Sequence, residues 1–439
     1  MGSTSPFPGE VMAERRVVIT GRGILSPLGV GVAEHKAGLL AGRSVVRRSE
    51  RLSRLGFPLC SVGEVPEEPL SNSKMAIPQK QKKLMNRAGI LAAMASFVAS
   101  EEAALGQTKV EPTRVGVFLA TWFTSYDLSS FIRYLDDAES AQRPSVMDPE
   151  KANIRCVETM NPVDYSLKVL PNLTAGHLAI FHQAQGCSRL IADGWRGGLL
   201  AVSQAARAIR YGELDVALAG GSESPLEEGI FCELCTLAGV ATDGAEPHRI
   251  CGPFDARRRG LVLGEGAGVV VLEERDRALG RGAVVYGEIA GSGCSAPDPT
   301  GHRERSLGLA MQNALEESKL APEEVDFIHA NGDSTPENDR AEWQALDSLF
   351  GARVTALPVT ATKSLHGHLL SASGVAELIS CLIMLDQGVI APIANCDDPD
   401  PECGLDLVRN TARAKPGAKR ALLNAVGLFG EGASLAVQR

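Results

Sequence analysis

Two rhythms run along the chain. Short runs dense in Val, Ile, Leu and Ala lie at 17–21, 115–119, 190–192, 215–219, 268–272, 283–290, 325–329 and 433–437, several ending at glycine. Runs of this length fit buried strands that open into loops. Between them, apolar residues recur at helical spacing over 31–40, 82–105, 197–211, 307–318 and 374–385. Residues 45–80 are irregular and rich in Pro, Ser and Arg, and 121–165 form a long excursion suited to a cap or a partner-facing insertion. Strands alternating with helices predict an α/β protein with largely buried sheets. The order strand, helix, strand, helix, strand occurs on both sides of residue 265. It predicts a duplicated body, with halves at 15–265 and 266–439 behind a frayed tail at 1–14.

Composition narrows the function classes. The 439 residues carry 44 basic and 53 acidic side chains, for a formal charge of -9. No strong basic field is available to displace counterions, which argues against nucleic-acid binding. No stretch has the ~18 uninterrupted apolar residues of a membrane helix, and residues 1–14 lack the apolar core of a secretory signal. The expectation is a cytoplasmic protein with reduced thiols. Cys232 and Cys235 form a C-x-x-C pair, read as helix packing or as a metal or redox pair. With no second pair and no histidine cluster beside it, no metal site is expected.

Several strings, in order, resemble the β-ketoacyl synthase family of decarboxylating condensing enzymes. They are Val18-Ile19-Thr20-Gly21, the stretch from Cys251-Gly252-Pro253-Phe254-Asp255 through Arg257-Arg258-Arg259-Gly260 to Gly264-Glu265-Gly266, and Asn331-Gly332-Asp333-Ser334-Thr335-Pro336. Lys363-Ser364-Leu365-His366-Gly367-His368, Pro399-Asp400-Pro401 and Asn424-Ala425-Val426-Gly427-Leu428-Phe429-Gly430 complete the set. The resemblance spans about 15–438. It implies a thiolase-like fold of two similar halves in a five-layer α/β/α/β/α body, normally dimeric.

It also implies a chemistry that this chain departs from. Members hold the acyl chain on a cysteine at a strand-to-helix turn, where the helix N-terminus lowers the thiol pKa. Here the turn reads Ile191-Ala192-Asp193-Gly194-Trp195-Arg196-Gly197-Gly198, and the nucleophile's place holds Trp195. An indole forms no thioester. The first catalytic histidine falls at Asn331, an amide that carries no proton at neutral pH. Lys363, His368 and Glu342 match retained positions. They either keep some chemistry or hold an inherited polar network. His329 is read as a relocated catalytic histidine or as a core histidine, and His366 as a residue of the pocket mouth. Cys187, eight residues before Trp195, is too remote along an extended strand to replace the nucleophile.

The family contains a precedent for such losses: the chain length factor of type II polyketide systems. This non-condensing sister subunit pairs with an active ketosynthase and limits chain growth at the interface. It usually carries glutamine where this chain has Trp195. The leading expectation is therefore a helper subunit without condensing activity of its own. Its implied partners are an active ketosynthase, in a heterodimer, and an acyl carrier protein that delivers phosphopantetheine-bound acyl groups. Candidate tunnel or interface residues are Trp122, Phe123, Phe131 and Leu428, with Tyr126 and Tyr134 in the same aromatic-rich segment. Arg257, Arg258 and Arg259 either greet an acidic carrier or belong to a solvated loop. The alternatives are an enzyme on this fold performing hydrolysis, acyl transfer or cyclisation with His368 and Lys363, and a carrier-binding scaffold.

Overall fold

A computed structural model describes residues 15–58, 60–67, 77–123, 128–159, 167–241 and 246–439. The tail at 1–14, Tyr126 and part of the 121–165 segment lie outside them. The first half runs β1 (Val17–Ser26), α1 (Arg87–Glu102), β2 (Val115–Ala120), α2 (Leu128–Asp137), α3 (Pro149–Thr159), α4 (Asn172–Phe181), β3 (Ser188–Ile191), α5 (Gly197–Arg210), β4 (Val216–Glu223), α6 (Glu228–Leu237) and β5 (Gly266–Glu274). The second half runs β6 (Gly287–Ser295), α7 (Arg303–Ser318), β7 (Phe327–His329), α8 (Pro336–Phe350), β8 (Pro358–Thr360), α9 (Ser373–Gln387), β9 (Arg420–Val426) and β10 (Gly432–Gln438).

Strand order shows the duplication. The first half reads β1-β5-β4-β2-β3, with the first two pairings antiparallel and the last two parallel. The second reads β6-β10-β9-β7-β8 with the same senses. The halves join edge to edge, Val18 opposite Glu288 and Ile19 opposite Gly287. Helices α5 and α9 pack on each other between the two sheets. Helices α1 and α4 cover the outside of the first sheet, and α7, backed by α8, covers the second. This is the five-layer thiolase-like body. The strand just past residue 265 belongs to the first half, so the repeat changes over within 275–286. The apolar span Leu370–Gln387 is long enough to cross a membrane, yet 89% of it is buried, because α9 is the central helix.

The repeat extends to single glycines. A Cβ on Gly23 of β1 would lie 1.9 Å from the Ala95 carbonyl oxygen of α1. A Cβ on Gly293 of β6 would lie 2.0 Å from the Ala310 oxygen of α7. Each outer helix thus rests on strand backbone with no side chain between. This close approach accounts for one misplaced strand. The β-branched run at 283–290 predicts a strand there, but the strand is Gly287–Ser295 and contains Gly287, Gly291 and Gly293. Close helix packing outweighs β propensity at this site. Gly23→Ala and Gly293→Ala should each cost about 1–3 kcal/mol. A lower urea midpoint at unchanged slope is the expected result for both.

Candidate active-site region

The central helices start at the same place. Strand β3 ends at Ile191, and the chain reverses through Gly194 at φ 55° and a single 3-10 turn, Gly194–Arg196, into α5. Arg196 braces the turn: it pairs with Asp193 at 2.8 Å and donates to the carbonyls of Gly432, at 3.0 Å, and Ser295. From the second half, the Ser371 hydroxyl donates to the Gly194 carbonyl at 2.9 Å. A Cβ on Gly198 would lie 2.5 Å from the Ser371 oxygen, so only glycine admits this approach.

Trp195 sits on the turn and is 2% exposed. It packs in a cluster with Leu226, Ile230, Phe231, Leu234 and Leu370, with Trp122, Phe123 and Leu428 half-buried against it. Trp122, Phe123 and Leu428 thus share one apolar cluster with Trp195. Phe131 lies instead on α2, its ring 6.3 Å from that of Tyr134. Burying an indole of about 200 Å² stabilises the fold by a few kcal/mol at most, so the ring fills this space without net strain.

The Trp195 and His368 rings touch, with centroids 4.8 Å apart. His368 Nδ1 accepts from the Leu370 N–H at 3.0 Å and lies 3.2 Å from the Ser373 hydroxyl. In the neutral ring the proton must then sit on Nε2. Burial, aided by Lys363 and His366, holds the His368 pKa well below its ordinary value.

Asn331 follows β7, and every polar group on it is engaged. Its side-chain amide donates to Asp333 at 3.1 Å. Its Oδ1 accepts from the Val426 N–H at 3.1 Å and from Lys363 Nζ at 3.3 Å. Glu342 accepts from the N–H groups of Asn331 and Gly332 and from the Asn424 amide. Lys363 Nζ also donates to the Asn331 carbonyl and to Glu377 Oε1, both at 2.6 Å. Lys363 and Glu377 are each 1% exposed, so removing either partner would leave a charge buried and unpaired. Burial pushes the Glu377 pKa up to about 7 against the pull of Lys363.

The other candidates are placed less centrally. His329 is fully buried in β7, bonded to the Thr362 hydroxyl at 3.2 Å, with burial holding its pKa at about 3. His366 is also fully buried rather than at a pocket mouth, and its Nδ1 lies 2.7 Å from the Gly367 carbonyl. Cys187 precedes β3, where its sulfur accepts from Arg189. Cys232 and Cys235 share α6; Cys235 borders the Trp195 cluster, but burial raises its pKa to about 11, so it stays a thiol. Arg258 is structural: its side chain is 6% exposed and pairs with Asp400 at 2.7 Å and Asp339 at 3.5 Å.

Two groups escaped the sequence reading. Glu377 is the lone charge within the apolar stretch of α9, a pattern that marks a buried partner for a cation. Glu223 ends the buried strand β4, accepts from the N–H groups of Trp122 and Phe123 at 3.1 Å, and is pushed up to about 7 by burial.

Known proteins place these features in a family. The Beta-ketoacyl synthase, N-terminal domain matches residues 14–278, and the C-terminal domain of the same name matches 285–397. The chain belongs to the β-ketoacyl synthase family. Nodulation protein E of Rhizobium leguminosarum bv. trifolii is 32% identical over 97% of this chain and all of its own length. A type II polyketide synthase acyl carrier protein in complex with its ketosynthase bound to the hexaketide aligns at a TM-score of 0.82 and 26% identity, over 97% of this chain and 100% of that one. The ishigamide ketosynthase/chain length factor aligns at 0.80 and 28%, over 97% and 99%.

The buried ionisable groups set the response to acid. Burial holds His35 and His329 at about 3 and His182 and His366 at about 4, and it holds His177 and His368 below their ordinary value. The unfolded rings titrate near 6.5, so they take up protons that the folded rings refuse, and stability falls as pH drops. Glu223, Glu377, Glu342 and Asp339, all raised by burial, act in the opposite sense. They bind protons in the fold above their unfolded pKa values of about 4. Six rings and four carboxyls oppose each other from pH 6.5 to about 4.5. Below that the four carboxyls give no further gain as they become protonated in the unfolded chain too, and the histidine loss is joined by that of Asp215, Asp255 and Glu288, whose arginine partners hold their pKa values down. A denaturation midpoint that falls little from pH 6.5 to 4.5 and much more steeply from 4.5 toward 3 is the expected profile. A steady decline from pH 6.5 would contradict it.

Proposed function

We propose that this chain is a non-condensing ketosynthase-like subunit, of the chain length factor kind. It pairs in the cytoplasm with an active ketosynthase and shapes the acyl tunnel in type II polyketide or related acyl-chain synthesis. One observation carries the reading: a buried indole occupies the turn where a member of this family holds its acyl chain. Asn331 supports it, since its amide is tied to Asp333, Val426 and Lys363 and carries no proton.

The surface is consistent with a partner. Strand β3 is a sheet edge with Ser188 and Arg189 exposed. Nearby in sequence, α2, α3 and α4 expose Ile132, Ile154, Val157 and Ile180, the last two at 81% and 68%. Unpaired edge strands and apolar helix faces are features that proteins ordinarily cover. An acyl carrier protein, with its phosphopantetheine arm, is the second proposed partner. Arginine steering would contribute little, because Arg249 and Arg257 are already paired with Asp397 and Asp255.

Altered acyl chemistry through Lys363 and His368 is the weaker alternative. The Lys363 ammonium is fully engaged, and of the two thiols in or beside the Trp195 cluster, Cys60 and Cys235, burial holds Cys235 protonated. A carrier-binding scaffold would leave the product unchanged, which the following tests address.

Co-expression with an active ketosynthase should give a one-to-one complex and a higher soluble yield than expression alone. A stable homodimer that gains nothing from the ketosynthase would sink the reading. Trp195→Cys in the isolated chain should stay inert: mass spectrometry with acyl-carrier substrates should show no acyl adduct and no elongated product. In the complex, Phe123→Ala should lengthen the product, because it opens the shell around the indole. Phe131→Ala, away from that cluster, should change it less. Equal effects, or none from Phe123, would reject the tunnel assignment.

A further inference from the structure

The outer face of the first sheet carries two adjoining cavities far from the indole in chemistry and in packing. Strand β4 divides its side chains by alternation. Ala217 and Ala219 pack in the central core, while Val216 and Leu218 face the opposite layer, under α1 and α4. There, with Val115 of β2, they line a cavity of about 350 Å³, together with Leu105, Val110 and Phe181. Among the described residues no Asp, Glu, Lys or Arg lines it. Its one imidazole, His182, bonds to the Ser96 hydroxyl at 2.8 Å, and burial holds its pKa at about 4, so the ring is neutral. The second cavity, of about 640 Å³, is bounded by Ala103, Ala104 and Gln107 of the same loop, and Thr108 borders both.

The second cavity is cationic. Glu273 of β5 is fully buried and accepts from the Thr20 hydroxyl at 2.5 Å, from Arg281 Nε at 2.9 Å and from Arg277. Two arginines therefore share one carboxylate, and both line the cavity. Glu102, the one acid among the described lining residues, is matched by Arg22 at 2.8 Å. Exposed Lys109 adds a third cation to the wall. The cavity thus holds an excess of positive charge in a chain whose net charge is -9. An uncharged, apolar cavity that meets a cationic one at a single residue suits an amphiphile. Alkyl burial drives one end, and guanidinium and ammonium donors hold an anion at the other. Both volumes fall in the range of small-molecule sites, roughly 300–1,000 Å³. We propose that the paired cavities bind a medium-chain fatty carboxylate, with its tail against Val216 and Leu218 and its head toward Lys109, Arg277 and Arg281. The site shares no residue with the Trp195 cluster, so the inference does not depend on the function proposed above.

Isothermal titration calorimetry on the full chain tests this, with decanoate, octanoate and hexanoate as probes. Decanoate should bind saturably, and each methylene removed should weaken binding about fourfold. Decanol keeps the tail without the charge, and acetate keeps the charge without the tail; both should bind far more weakly. Raised salt should weaken decanoate and leave decanol unmoved. Lys109→Glu alters an exposed side chain and should weaken decanoate about tenfold. Val110→Asp puts a charge into the tail cavity and should abolish the binding, with the thermal midpoint of the ligand-free variant as the check on folding. Decanol bound as tightly as decanoate would overturn the anionic head. Decanoate held with unchanged affinity by Lys109→Glu would be bound elsewhere in the molecule, the Trp195 cluster included, and would overturn the site. So would the absence of any heat of binding with decanoate.

Discussion

The meeting of two helix N-termini at the centre of the molecule is the constraint on which the rest depends. Helices α5 and α9 follow the third strand of their respective halves, and both begin within one side chain of each other. Gly198 admits the Ser371 carbonyl, and a Cβ on Gly374 would lie 2.6 Å from the Leu199 side chain. These contacts fix the depth to which each helix enters and so bring Trp195 against His368. The same arrangement sets the electrostatics. Burial there, with Lys363 and His366 nearby, makes a protonated imidazole costly, and the His368 pKa is depressed accordingly. The site is built to hold neutral rings.

The polar network behind the rings gives Lys363 and Glu342 a structural reason to be retained. Lys363 bridges the Asn331 carbonyl, from the loop after β7, and Glu377, from α9. Glu342 of α8 holds the Asn331–Gly332 backbone and the Asn424 side chain of β9. Removing one member strands several buried polar groups at once, and breaking a buried ion pair alone costs about 3–5 kcal/mol. A motif match at Lys363 or Glu342 therefore speaks first for architecture. The site's capacity for chemistry has to be judged at the turn and at the loop after β7, where this chain carries Trp195 and Asn331.

Much of this was legible in the sequence, for physical reasons. Runs such as 17–21 and 215–219 are buried on both faces of a sheet, so their apolar density marks them. The odd residue at a glycine-flanked turn pointed to Trp195. The failures have physical reasons too. Helix α8 (Pro336–Phe350) mixes buried Asn338, Asp339 and Glu342 with apolar positions, which blurs its period. Strand β6 is rich in glycine because α7 lies on it. Arg258, read with its neighbours as a surface cation, is sealed by acids that approach from distant segments. Partners such as Glu377 for Lys363 and Glu223 for the backbone of Trp122 are joined only by the fold, and no local spacing announces them.

The substitutions at 195 and 331 make physical sense as a pair. A thiolate on the turn would need a nearby cation or a proton acceptor to stay ionised. With an indole there, no charge develops at the turn. Asparagine at 331 meets Asp333 with its amide and takes Val426 and Lys363 on its oxygen, which leaves nothing unpaired. Restoring sulfur at the turn without restoring an imidazole at 331 would place a thiol among neutral groups. Cys235, beside the same cluster, already shows the outcome: burial drives its pKa up and the sulfur keeps its proton. Trp195 and Asn331 thus both place neutral groups beside His368, whose pKa burial holds well below its ordinary value.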